Sequence, residues 1–244
     1  MNADHLPVNY EPTPGFSVNP RADFLFKEAT RLKKEGDLDS AITALKSAEE
    51  AMSQGAVTYS PETRCKLPLY LQQAGRTHEA ITKLHKLLES YPQQWGRPLQ
   101  TDQWGMAYGT TEKSRGVIYD KLRLVLERSK QYREAVPYAL LADTYWVRID
   151  CRIYYYQTEQ LKGKKPPKSE EHRDYLRWSE LQRLKQQYPG ESFKPTLKTL
   201  SKLLKKLQIT EKWSTFEDYA NIFVHDFDSQ DEDTISKVKQ MLDS

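Results

Sequence analysis

The chain has two cysteines, Cys65 and Cys151. They form no CxxC pair, so neither a disulfide framework nor a thiolate metal knuckle follows from them, and a reducing compartment is expected. The histidines are equally scattered. His78 and His85 come closest to a pair, yet no two of His5, His78, His85, His172 and His225 stand four positions apart, the spacing that sets two imidazoles on one helix face over a metal. Walker, GxGxxG and GxSxG motifs are missing, which leaves phosphate-cradling loops and nucleophile elbows without a basis. No apolar run approaches the ~20 residues of a membrane span, and the N-terminus has no basic stretch leading into an apolar one, as a secretory leader would. An excess of one charge is lacking too. The 37 Lys and Arg face 34 Asp and Glu, a net +3, whereas dedicated nucleic-acid binders are usually far more lopsided. Apolar residues are few for a single deep core, at 38% with a mean hydropathy of −0.80. These absences point to a soluble cytoplasmic protein that is not an enzyme, with no metal and no cofactor.

What is present is a phrase said twice. GDLDSAITALKSAE begins at Gly36, and GRTHEAITKLHKLL begins at Gly75, 39 positions on. Upstream of the first, Asn19-Pro20 reads as a helix cap followed by proline at the first helical position. Ala22, Leu25, Phe26, Ala29 and Leu32 then recur at helical spacing until Gly36. A second helix follows an Asp-containing turn, with Ala41, Ile42, Leu45, Ala48 and Met52 as its apolar stripe. The second unit opens on Ser60-Pro61 and runs to Gly75. There Thr77 is expected to cap a helix carrying Ala80, Ile81, Leu84, Leu87, Leu88 and Tyr91. Pro68 should kink or split the helix before that glycine. A weaker third copy is SKQYREAVPYALLA, with Tyr132, Ala135, Ala139 and Ala142, and it lacks the turn glycine. Its preceding helix carries Ile118, Leu122, Val125 and Leu126.

This pattern resembles the tetratricopeptide repeat, a helix–turn–helix unit of about 34 residues. Ala29, Gly36, Ala41, Leu45 and Ala48 fall on its small and core positions in the first copy, and Gly75, Ala80, Leu84, Leu87 and Pro92 do so in the second. The resemblance implies an all-α solenoid of stacked antiparallel helix pairs that grips a protein or peptide in a groove. The expected domain organisation is a flexible N-terminal arm (1–19), repeats over 20–160, a helical extension over 168–225, and an acidic loop with a short terminal helix (226–244). A Trp-containing insert at 92–111, not expected to be a long helix, interrupts the repeats. Its Trp95 and Trp104, each followed by glycine, read either as a plug between repeats or as a recognition lip.

From Ala135 the spacing Ala139, Ala142, Trp146, Ile149, Ile153, Tyr156 is heptad-like, suiting internal packing or, alternatively, a dimer seam. The basic tract KGKKPPK (162–168) reads as a solvated loop or, alternatively, as a nuclear import signal or an anion contact. Between Pro195 and Leu207, Leu197, Leu200, Leu203, Leu204 and Leu207 form one face of an amphipathic helix opposite Lys198, Lys202, Lys205 and Lys206. The acid-rich stretch Glu217–Asp233 follows, and its juxtaposition with the lysines reads either as neighbours in the fold or as a split-sign surface that steers a partner. HDFDSQDED fails as a calcium loop, because Asp231 stands where glycine is needed and Lys237 where a bidentate Glu is needed.

The functional expectation is therefore a protein–protein interaction module, an adaptor or an inhibitor of the immunity-protein type, monomeric or weakly dimeric. The residues expected to hold the partner are Lys27, Arg31, Arg64, Tyr70, Trp95, Trp104 and Arg123. The alternative is a helical-repeat protein that binds RNA through its lysines and tyrosines.

Overall fold

The computed structural model describes residues 19–53, 59–91, 106–169 and 174–244, which are helical with no strand among them. Both insert tryptophans, Trp95 and Trp104, and the N-terminal arm through residue 18 lie outside the described residues. The chain divides into two compact units, residues 1–87 and 88–244.

In the first unit α1 (Pro20–Lys34) starts as its sequence predicts. Asn19 Oδ1 accepts from the Ala22 amide at 3.1 Å, and Asn19 Nδ2 donates to the Ala51 carbonyl at 2.7 Å, tying the cap to the end of α2 (Leu38–Ser53). Ala22, Phe26 and Ala29 of α1 and Ala41, Ile42, Leu45, Ala48 and Ala51 of α2 are buried. The helix predicted after Ser60 is split, as Pro68 demanded. α3 (Pro61–Arg64) and α4 (Lys66–Gln73) meet at Cys65, which leaves Pro68 in the first turn of α4, where a missing N–H costs nothing. α5 (Thr77–Glu89) is tied to α2 by Lys83–Glu49 at 2.7 Å and Lys46–Glu79 at 3.6 Å. Thr77 does not cap α5. Arg76 holds that position, its carbonyl accepting from the Ala80 amide at 3.0 Å while its guanidinium reaches Glu79.

The second unit is built around α7 (Tyr132–Gln160). α6 (Met106–Arg128) folds back along it, and α8 (Tyr175–Gln187), α9 (Lys198–Leu207), α10 (Trp213–His225) and α11 (Asp231–Asp243) pack against it as well. α6 starts inside the stretch expected to be an irregular insert, so Gly109 is helical. Because α7 is contacted by so many helices, its burial does not follow the heptad spacing. Ala135, Ala139 and Ile149 are buried as expected, but so are Val136, Leu140, Tyr145, Cys151 and Tyr154, while Trp146 is 46% exposed. Where α6 and α7 approach, a Cβ on Gly116 would stand 3.1 Å from Tyr145 Cβ.

One turn recurs four times among the described residues, the fourth at the end of α9, where Gln208 (φ 59°) reaches back to Lys205 O and Ile209 to Leu204 O. At the ends of α1, α4 and α6 two amides reach back in the Schellman pattern: Gly36 to Lys33 O and Asp37 to Leu32 O, Gly75 to Gln72 O and Arg76 to Leu71 O, Lys130 to Glu127 O and Gln131 to Leu126 O. The left-handed residue has φ 88° at Gly36, 78° at Gly75 and 61° at Lys130. In the third copy lysine accepts a conformation made for glycine. Five residues past Gly36, Gly75 and Lys130, Ala41, Ala80 and Ala135 are fully buried.

The second unit also carries a buried ionic cluster. Asp231, at the first turn of α11, accepts on Oδ2 from Arg115 Nη2 (2.7 Å), Arg115 Nε (2.9 Å), Tyr119 Oη (2.6 Å) and Tyr145 Oη (2.6 Å). Arg115 Nη1 donates to the Tyr91 carbonyl at 2.6 Å. The carboxylate stands at a helix N-terminus, where the dipole also favours negative charge.

Two expectations follow for stability in urea. Lys130→Gly should raise the unfolding free energy by about 1 kcal/mol by relieving the left-handed strain, whereas Gly36→Ala and Gly75→Ala should each lower it by a similar amount. Asp231→Asn should cost about 3 kcal/mol, because it leaves Arg115 buried without its counter-charge.

Candidate functional site

α9 packs Leu200, Leu203 and Leu204 inward and turns its lysines out, as the alternation of leucine and lysine requires. Its N-terminus is capped from another helix. Asp143 of α7 accepts from the amides of Thr199 (2.9 Å) and Leu200 (3.0 Å). Burial raises the Asp143 carboxyl above its ordinary value, and the two amides oppose that rise. This clamp sets the lysine face of α9 beside the C-terminal half of α6.

Between the two helices lies an open cleft of about 450 Å³, lined by Arg123, Leu124, Glu127 and Arg128 of α6 and by Thr199, Lys202 and Lys206 of α9. Four of these residues are cationic and one is acidic. Arg123 binds Asp120 through Nη2 and Glu127 Oε2 through Nη1 at 2.7 Å, while its Nε is buried without a hydrogen-bond partner. Lys206 Nζ binds the other oxygen of Glu127 and stands 4.9 Å from the centre of the Tyr132 ring. Burial acts to raise the Glu127 carboxyl, but the hydrogen bonds from Lys206 and Arg123 outweigh it and hold the group below its usual range. Lys202 makes no ion pair among the described residues. The arrangement can attract and hold anionic groups, and it brings together no nucleophile with a base.

Of the residues expected to bind a partner, Arg123 lies in this cleft. Lys27, Arg31, Arg64 and Tyr70 belong to the first unit. Lys27 is exposed on α1, and Arg31 is held by Glu28 and Glu35. Arg64 is half-buried at the end of α3. Tyr70 is only 7% exposed, with Lys33 Nζ 4.4 Å above its ring. Sequence reading missed Arg128, Glu127, Lys202 and Lys206 as partners of Arg123. It registered the lysine face of α9 and had no signal for which helix would lie opposite it. The acids following that face turn elsewhere, Asp231 to Arg115 and Asp226 to the serine of its own loop.

A second meeting of reactive types occurs where Cys151 Sγ stands 3.4 Å from His225 Nδ1. The thiol is fully buried in a cluster with Tyr154, Leu181, Leu184, Phe193 and Val224. Burial pushes its pKa from 9.0 up to about 12, although Arg148 pulls the other way, which is the reverse of what an activated nucleophile needs. Among the described residues no three His, Cys, Asp or Glu side chains gather as a metal site would require, and no helix is long and apolar enough to cross a membrane. Comparison of the chain with protein-family models, with curated proteins and with solved structures finds no match in any of the three.

The raised thiol makes stability depend on pH with a definite sign. Folding favours the neutral thiol, so its contribution is complete below pH 9 and is lost as pH rises from 9 towards about 12. Tyr119 and Tyr145, pushed well above their ordinary value by burial and by Asp231, extend the same slope upward. Cys151→Ala should flatten the decline between pH 9 and 11, measured as unfolding free energy in urea at each pH.

Proposed function

We propose that this chain is a non-catalytic helical-repeat binding module that holds an acidic segment of a partner protein in the cleft between α6 and α9. The observation that carries this reading is the lining of the cleft, where Arg123, Arg128, Lys202 and Lys206 converge on a space open to solvent. The repeat architecture supports it. The turns after α1, α4 and α6, unlike the same turn after α9, are each followed by a fully buried alanine, which a tetratricopeptide-like design needs to bring paired helices close. A role as an inhibitor capping an enzyme rests on small size, the lack of a catalytic motif and the aromatic insert, both of whose tryptophans lie outside the described residues.

A protein segment suits the cleft better than a nucleic acid. A phosphate backbone favours a long uninterrupted cationic track, often with aromatic rings for bases to stack on. Here Glu127 interrupts the cations, and none of the lining residues is aromatic. Carboxylates spaced along a short peptide can address the separate cations one by one.

Fluorescence anisotropy with a labelled decaglutamate peptide tests the reading. Saturable binding should weaken about tenfold on Lys202→Glu and fall as salt is raised, as expected for a partly exposed charged site. Tighter binding of an oligouridylate of equal length, also weakened by Lys202→Glu, would overturn this reading in favour of RNA.

A further inference from the structure

Glu127 occupies a place in the cleft that an incoming carboxylate would seek. Each of its oxygens takes a different cation, Oε1 receiving Lys206 and Oε2 receiving Arg123. The side chain is 21% exposed, so it can be reached from the open side. Both cations are anchored independently of it. Arg123 keeps a second bond to Asp120 through its other terminal nitrogen, and Lys206 keeps its place over the Tyr132 ring. If Glu127 swings away, the two positive groups stay close to where they were, convergent and without their shared counter-charge.

We infer that Glu127 is a built-in stand-in for the partner's carboxylate, holding Arg123 and Lys206 while the cleft is empty and yielding them when an acidic segment enters. The inference rests on the reading of the cleft as an acidic-segment site and adds its regulation. Lys202, which makes no ion pair among the described residues, is the first cation an approaching anion meets without competition. The exchange at Glu127 follows. Lys206 is 42% exposed, so its half of the exchange is cheap. Arg123, 14% exposed, is released only to an acid that replaces Glu127. The displaced acid still repels the newcomer across a few ångströms. The stand-in therefore sets a threshold, because one carboxylate gains little by replacing another and only a segment with several acids, one of them on Lys202, gains enough to displace it. It also keeps Arg123 and Lys206 paired when no partner is bound.

The test compares the full chain with E127Q, E127A and, as a control for net charge, E62Q on α3, using the decaglutamate probe at low salt. Circular dichroism and thermal unfolding establish that each variant is folded. Removal of the internal competitor should tighten binding about tenfold in both E127Q and E127A, while E62Q, with the same change in net charge, stays within about twofold. Monoglutamate should show no measurable binding to the wild type and weak binding to E127Q. Equal affinities of E127Q, E127A and E62Q, with Lys202→Glu still weakening binding, would overturn the stand-in and leave the cleft reading intact. Absence of binding even in E127Q, or binding indifferent to Lys202→Glu, would overturn the cleft reading and the stand-in with it.

Discussion

The second unit depends on one buried carboxylate oxygen. Asp231 Oδ2 receives Arg115 and Tyr119 from α6 and Tyr145 from α7, so α6, α7 and α11 are referenced to a single point. Arg115 extends that point to the Tyr91 carbonyl. A charge pair so deeply enclosed is a demanding way to join helices, since desolvation of both ions opposes it unless their hydrogen bonds are met. The directional requirement is what makes it useful as a reference. Leucine stripes can slide by part of a turn at little cost, whereas a guanidinium and two phenols converging on one oxygen cannot.

The cleft inherits that definition. Its α6 wall is held against α7 by this cluster and by the close approach at Gly116. Its α9 wall is held against α7 by buried leucines and by Asp143 capping the first amides of α9. The groups that position each wall are distinct from the residues that line the cleft. The residues facing the space are long, charged and near the surface, on a rigid frame provided by α7. Such a division suits a module that must present charge in a set geometry without chemistry of its own. The pair of Cys151 with His225 is built the other way, with its thiol sealed among aromatic and aliphatic side chains and kept protonated.

The cations of the cleft differ in what they can do. Arg123 and Lys206 already share Glu127, and each has a further anchor in Asp120 or the Tyr132 ring. Lys202 makes no ion pair among the described residues and is exposed. In the proposed function an ordered, pre-paired half beside Lys202 would separate attraction from recognition, the unpaired charge steering a partner while the paired charges answer to an anion that competes with Glu127. The small net charge of +3 thus conceals a local concentration of positive charge, which bulk composition averages away.

Local signals determined the helices, their caps and their turns, because these depend on residues a few positions apart. Asn19-Pro20, Ser60-Pro61, the glycines at 36 and 75 and the Pro68 break all act within a turn of helix, and the alanines after each turn were legible as packing positions for the same reason. The third turn was legible only in part, since nothing local says that Lys130 will accept a left-handed backbone. That depends on the packing of α6 against α7 having already set where the chain must reverse. Tertiary structure alone decided that α7 would be enclosed by several helices, which cancels the heptad pattern and leaves Trp146 outside. It alone decided that Asp231 would cross to Arg115 rather than join the neighbouring lysines. It also set the lysine face of α9 opposite Arg123. Charges on a helix surface carry no record of their distant neighbour, because desolvation and geometry, not spacing along the chain, choose the partner.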